Sequence, residues 1–434
     1  MAAFAPSKAV REVVVVGGGF VGISCALQLQ RAGHAVTLVD RTAPGSPGQA
    51  SFGNAGTFAP YANIPINKPG IAFSVPGMLL NPDGPLAVKV SPHLPKMVPW
   101  GCRFLAACQK KRVAQISDSL STLLARAEDG WKPAWDQAGV DIDEFRVNNG
   151  SLYLYGSEEA FEASEQEVKI REKVCTVQRL KPNEVAELEP NVTRCYAGGL
   201  LFDAWHMQNP GKLMTNLAQG FEAEGGKVMR KSAITILPGL GVTLDDHTFI
   251  AADEVIVAAG AHSKSLADSA GDNIPLDTER GYHVTFPGQE MQVSRPVGWA
   301  EGGFYMTPMS KWLRVAGTVE LGGLNAPMSQ SRCEMLERSA QSLLPALPKR
   351  SATGDWLGFR PTLPDSLPVI GRSPSSGVIY AFGHQHVGFT LGGITGGLVK
   401  DIVAGETPCI DLHAFRPNRF EEHFAGERTS MFSS

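Results

Sequence analysis

Residues 13–40, VVVVGGGFVGISCALQLQRAGHAVTLVD, constrain this chain more than any other stretch. Four consecutive valines, Val13 to Val16, are too few for a helix and fit a strand buried on both faces. The motif Gly17-x-Gly19-x-x-Gly22 follows. Gly17 permits the tight turn, Gly19 lets a pyrophosphate approach the backbone, and Gly22 lets the next helix pack closely on the strand. Cys25, Ala26, Leu29 and Ala32 recur at helical spacing, and Gly33 ends that helix. Residues 36–39 read as a second strand closed by Asp40, roughly 20 residues past the glycines, where an acid hydrogen-bonds an adenosine ribose. Strand, glycine turn, helix and acid in this order predict a bound dinucleotide. The motif does not separate FAD from NAD and names no reaction.

The 434 residues suffice for two domains of ordinary size. With 43% hydrophobic and 19% charged residues, the chain can bury a sizeable core. A net charge of −4 and the lack of a long Lys/Arg run give no preference for nucleic acid. Lys110-Lys111-Arg112 reads as a solvated helix face. The seven cysteines are odd in number and form no CxxC, which argues against a zinc site, an iron–sulfur cluster or a disulfide scaffold and fits a reducing compartment. No metal is expected. No apolar run is read as reaching the ~18 residues of a spanning helix. Gly17 cuts the first strand too short for a signal-peptide core. The expectation is a cytoplasmic protein, with room for peripheral contact at the inner face of the membrane.

Residues 41–48 form a Pro/Gly/Ser loop, and Ser51-Phe52-Gly53-Asn54-Ala55-Gly56 supplies small residues for close backbone approach to a ligand. Residues 60–100 carry nine prolines with interleaved apolar residues and cannot form one long helix. They read either as a lid, as a patch meeting a membrane or partner, or as an extended loop packed on its own core. Residues 100–139 look helical with Leu105, Leu120, Leu123, Leu124 and Trp131 on apolar faces. Strands are expected at 150–155, 198–202, 227–237 and 249–259, and helices at 158–176 and from Pro210 to about 224. Ala259 and Gly260 end a strand in a second nucleotide-contacting element, so the dinucleotide domain must be discontinuous. Alternating runs at 282–286, 303–307 and 312–316 predict an antiparallel sheet, hence a second domain of different style. Residues 334–344 look helical. Near the end, a strand at 378–382, a glycine-rich turn 383–393 and a helix 394–404 repeat the opening logic, with amides that favour a negative ligand group.

Taken in order, the opening motif, Asn54-Ala55-Gly56, Ala258-Ala259-Gly260, Gly281-Tyr282, Gly358-Phe359-Arg360-Pro361 with Pro364-Asp365, and Gly383-His384 through Gly388 resemble the FAD-dependent D-amino-acid oxidase superfamily. Within it they are most similar to the bacterial D-amino-acid dehydrogenase branch, and residues 383–392 are similar to D-hydroxyproline dehydrogenases. The resemblance covers nearly the whole chain. It implies α/β plus α+β architecture: a Rossmann-like, discontinuous FAD-binding domain (10–60, 205–270 and 355–410), an antiparallel-sheet substrate domain (61–204 and 271–354) and a C-terminal tail (411–434).

The same resemblance implies non-covalent FAD, since no cysteine sits in the 356–393 cluster. Its expected contacts are Gly17, Gly19, Phe20, Val21, Gly22, Asp40 and Arg41 at the first turn. Ser51, Asn54, Ala55 and Gly56 follow, then Ile234 beside the adenine, Ala259 and Gly260. Arg360, Gly383, His384, Val387, Gly388, Phe389 and Thr390 complete the set. The implied reaction oxidises a D-amino acid, D-proline or cis-4-hydroxy-D-proline among them, by hydride transfer to FAD. Electrons then pass to a quinone or partner protein. Tyr282, Arg360 and His384 are the implied catalytic residues, and Tyr61, Tyr282, Tyr305, Arg360 and His386 the substrate contacts. For each, a purely structural role is the competing reading.

One departure matters. Related amine oxidases place an arginine in a Tyr-x-x-Pro-Arg stretch, but here Tyr305-Met306-Thr307-Pro308 is followed by Met309. Arg360, Arg314 or Arg280 must take the substrate charge, or the anchor is tyrosine-based. Two other readings remain open: an oxygen-using glycine or sarcosine-type amine oxidase, and an FAD-bound subunit that works only with partner chains.

Overall fold

The computed structural model describes residues 10–81 and 83–421. Its centre is a six-stranded sheet in the order Lys227–Arg230, Ala35–Asp40, Glu12–Val16, Glu254–Val257, Ile379–Phe382, Val369–Arg372. All pairings are parallel except the last. Three distant parts of the chain therefore build one sheet. The valine run behaves as a doubly buried strand must: Val13 and Val15 face one core, Val14 and Val16 the other. On the first face lie the helices Phe20–Arg31, Ala127–Ala138, Pro210–Ala223 and Gly388–Ala404. On the second lies a three-stranded sheet of Ala233–Leu237, Gly241–Leu244 and Phe249–Ala251, with the helix Ser263–Ser269.

A nine-stranded sheet forms the other half, with Trp356–Thr362, Asp277–Pro287, Trp312–Leu321 and Phe304–Pro308 side by side. It is antiparallel there, but Val297–Trp299 pairs in parallel with Ser151–Tyr155, as does Leu86–Val88 with Trp312–Leu321. The helix Gln330–Leu343 covers its core face.

Several local expectations need correction. Residues 227–237 are two strands in different sheets, broken at Lys231-Ser232. Residues 249–259 are likewise two strands, broken where the Asp253 carboxylate accepts from the Glu12 amide (2.8 Å). The helical stretch 100–139 is three helices, Val98–Ala107, Lys110–Leu124 and Ala127–Ala138, and Leu105 is exposed. The last two pack on the nucleotide half, although they fall within 61–204. The final helix starts at Gly388 rather than 394, because the glycines that read as a turn are helix-interior contacts: a Cβ on Gly393 would meet the Trp131 backbone at 2.4 Å. Residues Gln385–Ala404 are apolar and long enough to cross a membrane, but two-thirds of their apolar window is buried in the protein. Of the expected tail, residues 411–421 pack against the body: Phe415 and Phe420 are buried and Arg419 pairs with Asp365 at 2.8 Å. Residues 422–434 lie outside the described residues.

Candidate functional site

Between the two halves runs one continuous cavity of about 980 Å³, at the upper end of the ~300–1,000 Å³ typical of ligand sites. Its nucleotide end is the turn 17–21. Gly17 has φ 108°, and the space above it is taken by Ala258, whose carbonyl oxygen a Cβ would meet at 2.4 Å. Gly22 lies off the wall and packs as its motif requires, since a Cβ there would stand 1.7 Å from the Gly17 oxygen. The helix Phe20–Arg31 is capped by Gly19 without a side-chain bond and has no acid in its first turn, so its positive end faces the cavity. Ser51 Oγ accepts from the Phe20 amide at 3.0 Å.

Asp40 stands where the sequence puts it. Its carboxylate accepts from the Gly18 amide (2.7 Å), the Thr42 amide (2.8 Å) and the Thr42 hydroxyl (2.9 Å), tying the glycine turn to the second strand. Arg41 Nη2 donates to His262 Nε2 at 2.8 Å. Burial, then Arg41, lowers the His262 pKa to about 4, so its ring is a neutral acceptor. Ala259 and Gly260 line this end too.

The loop after Gly48 crosses the middle. The buried Arg314 holds it from below, donating to the carbonyls of Phe52 (3.1 Å) and Asn54 (2.6 Å). Asn54 Oδ1 accepts from the Gly56 amide at 2.8 Å. Gly53 answers to a side chain: Trp356 lies flat between Gly53 and Gly358, where added Cβ atoms would meet its ring at 2.1 and 2.0 Å. Trp356 also donates from Nε1 to the Pro47 oxygen (2.8 Å) and stacks on His283.

Arg360 and Arg171, with Tyr61, Tyr153, Tyr305 and His386, line the remaining end. Arg360 Nη1 donates to the Thr318 carbonyl at 2.9 Å, and its strand neighbour Glu279 attracts it across the sheet. Arg171 donates to the Tyr61 carbonyl, sits 3.4 Å from Glu167, and lies over the rings of Tyr61 and Phe202. The Tyr61 hydroxyl meets Ser151 Oγ at 3.0 Å, and Tyr153 stacks on Tyr305 with centroids 5.7 Å apart. Burial raises the pKa of all three tyrosines, which are neutral donors at ordinary pH. His386 is open to the cavity. Enclosure by surrounding protein, then the guanidiniums of Arg360 and Arg171, lowers its pKa and keeps its ring neutral. Thr318 (φ 59°) and Gln385 (φ 48°) both line this end in the left-handed region, a conformation that collects at functional sites.

Most of the residues expected from sequence line the cavity: Gly17, Gly19, Phe20, Val21, Asp40, Arg41, Ser51, Asn54, Ala55, Ala259, Gly260, Arg360, Gly383, His384, Gly388, Phe389, Tyr61, Tyr305 and His386. Others lie off the cavity wall or are engaged within the protein. Gly56, Ile234, Val387 and Thr390 lie off the wall. Ile234 is 45% exposed on the small sheet, with its neighbour Ala233 lining instead. Thr390 Oγ1 accepts from the Ala59 amide at 3.0 Å. Tyr282 touches the cavity, but its hydroxyl donates to Glu320 (2.6 Å) and accepts from Arg280 (3.3 Å) and the Ser329 amide (3.2 Å). The ring of His384 is bonded to Thr395 Oγ1 at 2.9 Å, and burial lowers its pKa to about 3. Arg280 is spent on Glu320 and three carbonyls, and Arg314 on the loop. Of the arginines weighed in place of Met309, only Arg360 faces the cavity. Sequence reasoning missed Arg171, Tyr153, Glu279 and Gln385; only the tyrosine-rich run of the strand Ser151–Tyr155 hinted at one of them.

Comparison with known proteins follows the same lines. The family described as FAD dependent oxidoreductase matches residues 12–402. A D-amino-acid oxidase of Bradyrhizobium diazoefficiens is 36% identical over 94% of this chain and 99% of its own length. D-amino acid dehydrogenase 2 of Ralstonia nicotianae is 30% identical over 92% and 98%. The crystal structure of glycine oxidase from Geobacillus kaustophilus superposes with a TM-score of 0.71 at 23% identity, covering 94% of this chain and 98% of that one.

Proposed function

The chain belongs to the FAD-dependent oxidoreductases, and we propose that it oxidises a D-amino acid to the imino acid and hands the electrons to an acceptor other than oxygen. The observation that carries this reading is one cavity joining a dinucleotide turn to an end lined by two arginines and three neutral tyrosines. The residues fit the cofactor: the glycine turn and open helix end suit a pyrophosphate, and Asp40 suits a ribose. When bound, FAD supplies the hydride acceptor.

The protein's own part is positioning and electrostatics. Arg360, fixed by Thr318, offers a planar guanidinium to the substrate carboxylate. The hydroxyls of Tyr61 and Tyr305 border the same space and donate to the carboxylate's second oxygen. His386, held neutral, accepts a hydrogen bond from the N–H of a substrate bound as its free amine, whose lone pair forms the imine. Tyr153 and Ile64 line the cavity as well, and an aromatic ring and an aliphatic side chain would suit a pyrrolidine ring, so D-proline and cis-4-hydroxy-D-proline are the first substrates to try. Gly388 and Phe389 bring the N-terminal end of the helix Gly388–Ala404 to the cavity, where its amides would stabilise negative charge on a bound, reduced flavin.

The test is anaerobic bleaching of the oxidised flavin band by D- and L-forms of alanine and proline, by cis-4-hydroxy-D-proline, and by glycine and sarcosine. Bleaching by D-forms alone supports the reading. Bleaching by L-forms, or only by glycine or sarcosine, overturns it. Hydrogen peroxide produced in air at the rate of turnover overturns the non-oxygen acceptor.

A further inference from the structure

The proline-rich segment leaves one element unexplained by the cavity. The helix Ile71–Leu80 has no buried residue. Phe73 is 91% exposed and Leu80 84%, with Leu79 and, further along, Val90, Val98 and Leu105 also exposed. Phe73, Leu79 and Leu80 put three large apolar side chains of one short helix in water, which marks a surface that something covers. At helical spacing Ile71, Val75 and Met78 are half-buried, while Ala72, Phe73, Leu79 and Leu80 are exposed and Ser74 is the lone polar side chain.

Charge names the medium. Residues 61–112 carry seven lysines and arginines against a single acid, Asp83, a net of +6 in a chain whose total is −4. Asp83 is itself paired with Arg338. Lys96, Lys110 and Lys111 are exposed along the segment, as is Lys68, which pairs with Glu167 at 3.1 Å. Apolar side chains flanked by cations are the composition of an element that lies in the interface of an anionic bilayer. We propose that the helix Ile71–Leu80 docks the protein on an anionic lipid surface, with Phe73, Leu79 and Leu80 entering the acyl boundary and the flanking lysines meeting the headgroups. Ile66 and Pro85, on either side of this helix in the chain, line the cavity, so docking places a cavity wall at the membrane.

The test uses the FAD-loaded full chain and does not depend on the substrate assignment. Co-sedimentation is measured with vesicles of phosphatidylcholine alone and with roughly 30% phosphatidylglycerol. Binding to the mixed vesicles is expected to be at least about tenfold stronger and to fall sharply in about 0.5 M salt. The double variant Phe73→Asp/Leu80→Asp changes only exposed side chains. It is expected to lose at least about tenfold in vesicle binding, with the flavin spectrum and thermal midpoint unchanged. Wild-type protein that stays in the supernatant with both vesicles overturns the proposal, as does a variant that binds like wild type. Equal binding to the two compositions overturns the anionic surface. A wild-type dimer that becomes monomeric in the variant, without vesicle binding by either, assigns the helix to a second copy of the chain instead.

Discussion

The guanidinium of Arg360 rests on the backbone of Gly281, where a Cβ would stand 2.5 Å from Cζ. The two residues lie on adjacent antiparallel strands, and the absent side chain is what makes room for the arginine at the cavity. Thr318 completes the seat by turning its carbonyl to Nη1 (2.9 Å) from a left-handed backbone.

Gly281→Ala should therefore damage the substrate end without touching the nucleotide end. The methyl group displaces the guanidinium by about an ångström, and misplacement of that size costs on the order of 100-fold in rate. kcat/KM should fall about 10- to 100-fold while flavin content stays at wild-type level. Arg360→Ala should raise KM with the fold intact. Unchanged steady-state kinetics in both variants would remove Arg360 from the substrate site.

Tyr282 and Tyr305 should separate cleanly. The Tyr282 hydroxyl is satisfied by Glu320, Arg280 and Ser329 inside the core. Tyr282→Phe leaves those partners short of one bond and should cost about 1–3 kcal/mol of stability, with kcat/KM within about threefold of wild type. Tyr305 faces the cavity beside Tyr61. Tyr305→Phe should lower kcat/KM about tenfold and leave the denaturant midpoint in place, as loss of one substrate hydrogen bond would. Urea titration and steady-state kinetics of both variants check this; the reverse pattern returns Tyr282 to the site.

The nucleotide half was legible because its constraints are local. A turn of fixed length, a strand before it and an acid after it lie within 28 contiguous residues, 13–40. The discontinuity could be read too, since Glu254–Val257 and Ile379–Phe382 carry the same buried-strand signal as Glu12–Val16. The arginine- and tyrosine-lined end of the cavity is assembled from distant pieces, and there the reading thinned. Arg171 reaches the cavity from the end of a charged helix whose sequence looks like any solvated helix. Thr318 and Gln385 adopt left-handed backbone that no residue type announces. Tyr282 looked functional beside Gly281 because its partners Glu320 and Ser329 lie about 40 residues away in sequence. Gly53 read as room for a ligand, but together with Gly358 it makes room for Trp356.

Acid sensitivity follows from the buried histidines. Burial holds the pKa of His384 down to about 3 and that of His206 to about 4, whereas an unfolded histidine titrates near 6.5. Above that value neither state binds the proton. As pH falls below it the unfolded chain takes up protons that the folded chain refuses, so stability drops with pH until the folded values are reached. At pH 5 the loss is on the order of 2 kcal/mol per group. Denaturant midpoints at pH 7 and pH 5 should differ accordingly, and His206→Gln should recover about half of the difference due to the pair. Equal stability at the two pH values would show that these rings are protonated in the native state.

Asp40 joins stability to cofactor affinity. In the folded chain its two oxygens accept from Gly18, Thr42 and Gln49. Asp40→Asn turns one of those acceptors into a donor facing another N–H, which should destabilise the FAD-free protein by about 1–3 kcal/mol. The ribose partner is weakened in the same variant, and its FAD Kd should rise about 10- to 100-fold. Bound FAD stabilises the folded state by about 2.7 kcal/mol at a hundred times Kd. At fixed FAD the variant should therefore lose part of that gain in addition to its intrinsic deficit. FAD titration by flavin fluorescence and thermal melts with and without FAD measure the two losses separately. A melting deficit with unchanged Kd would leave Asp40 only the task of tying the glycine turn to its neighbouring strand.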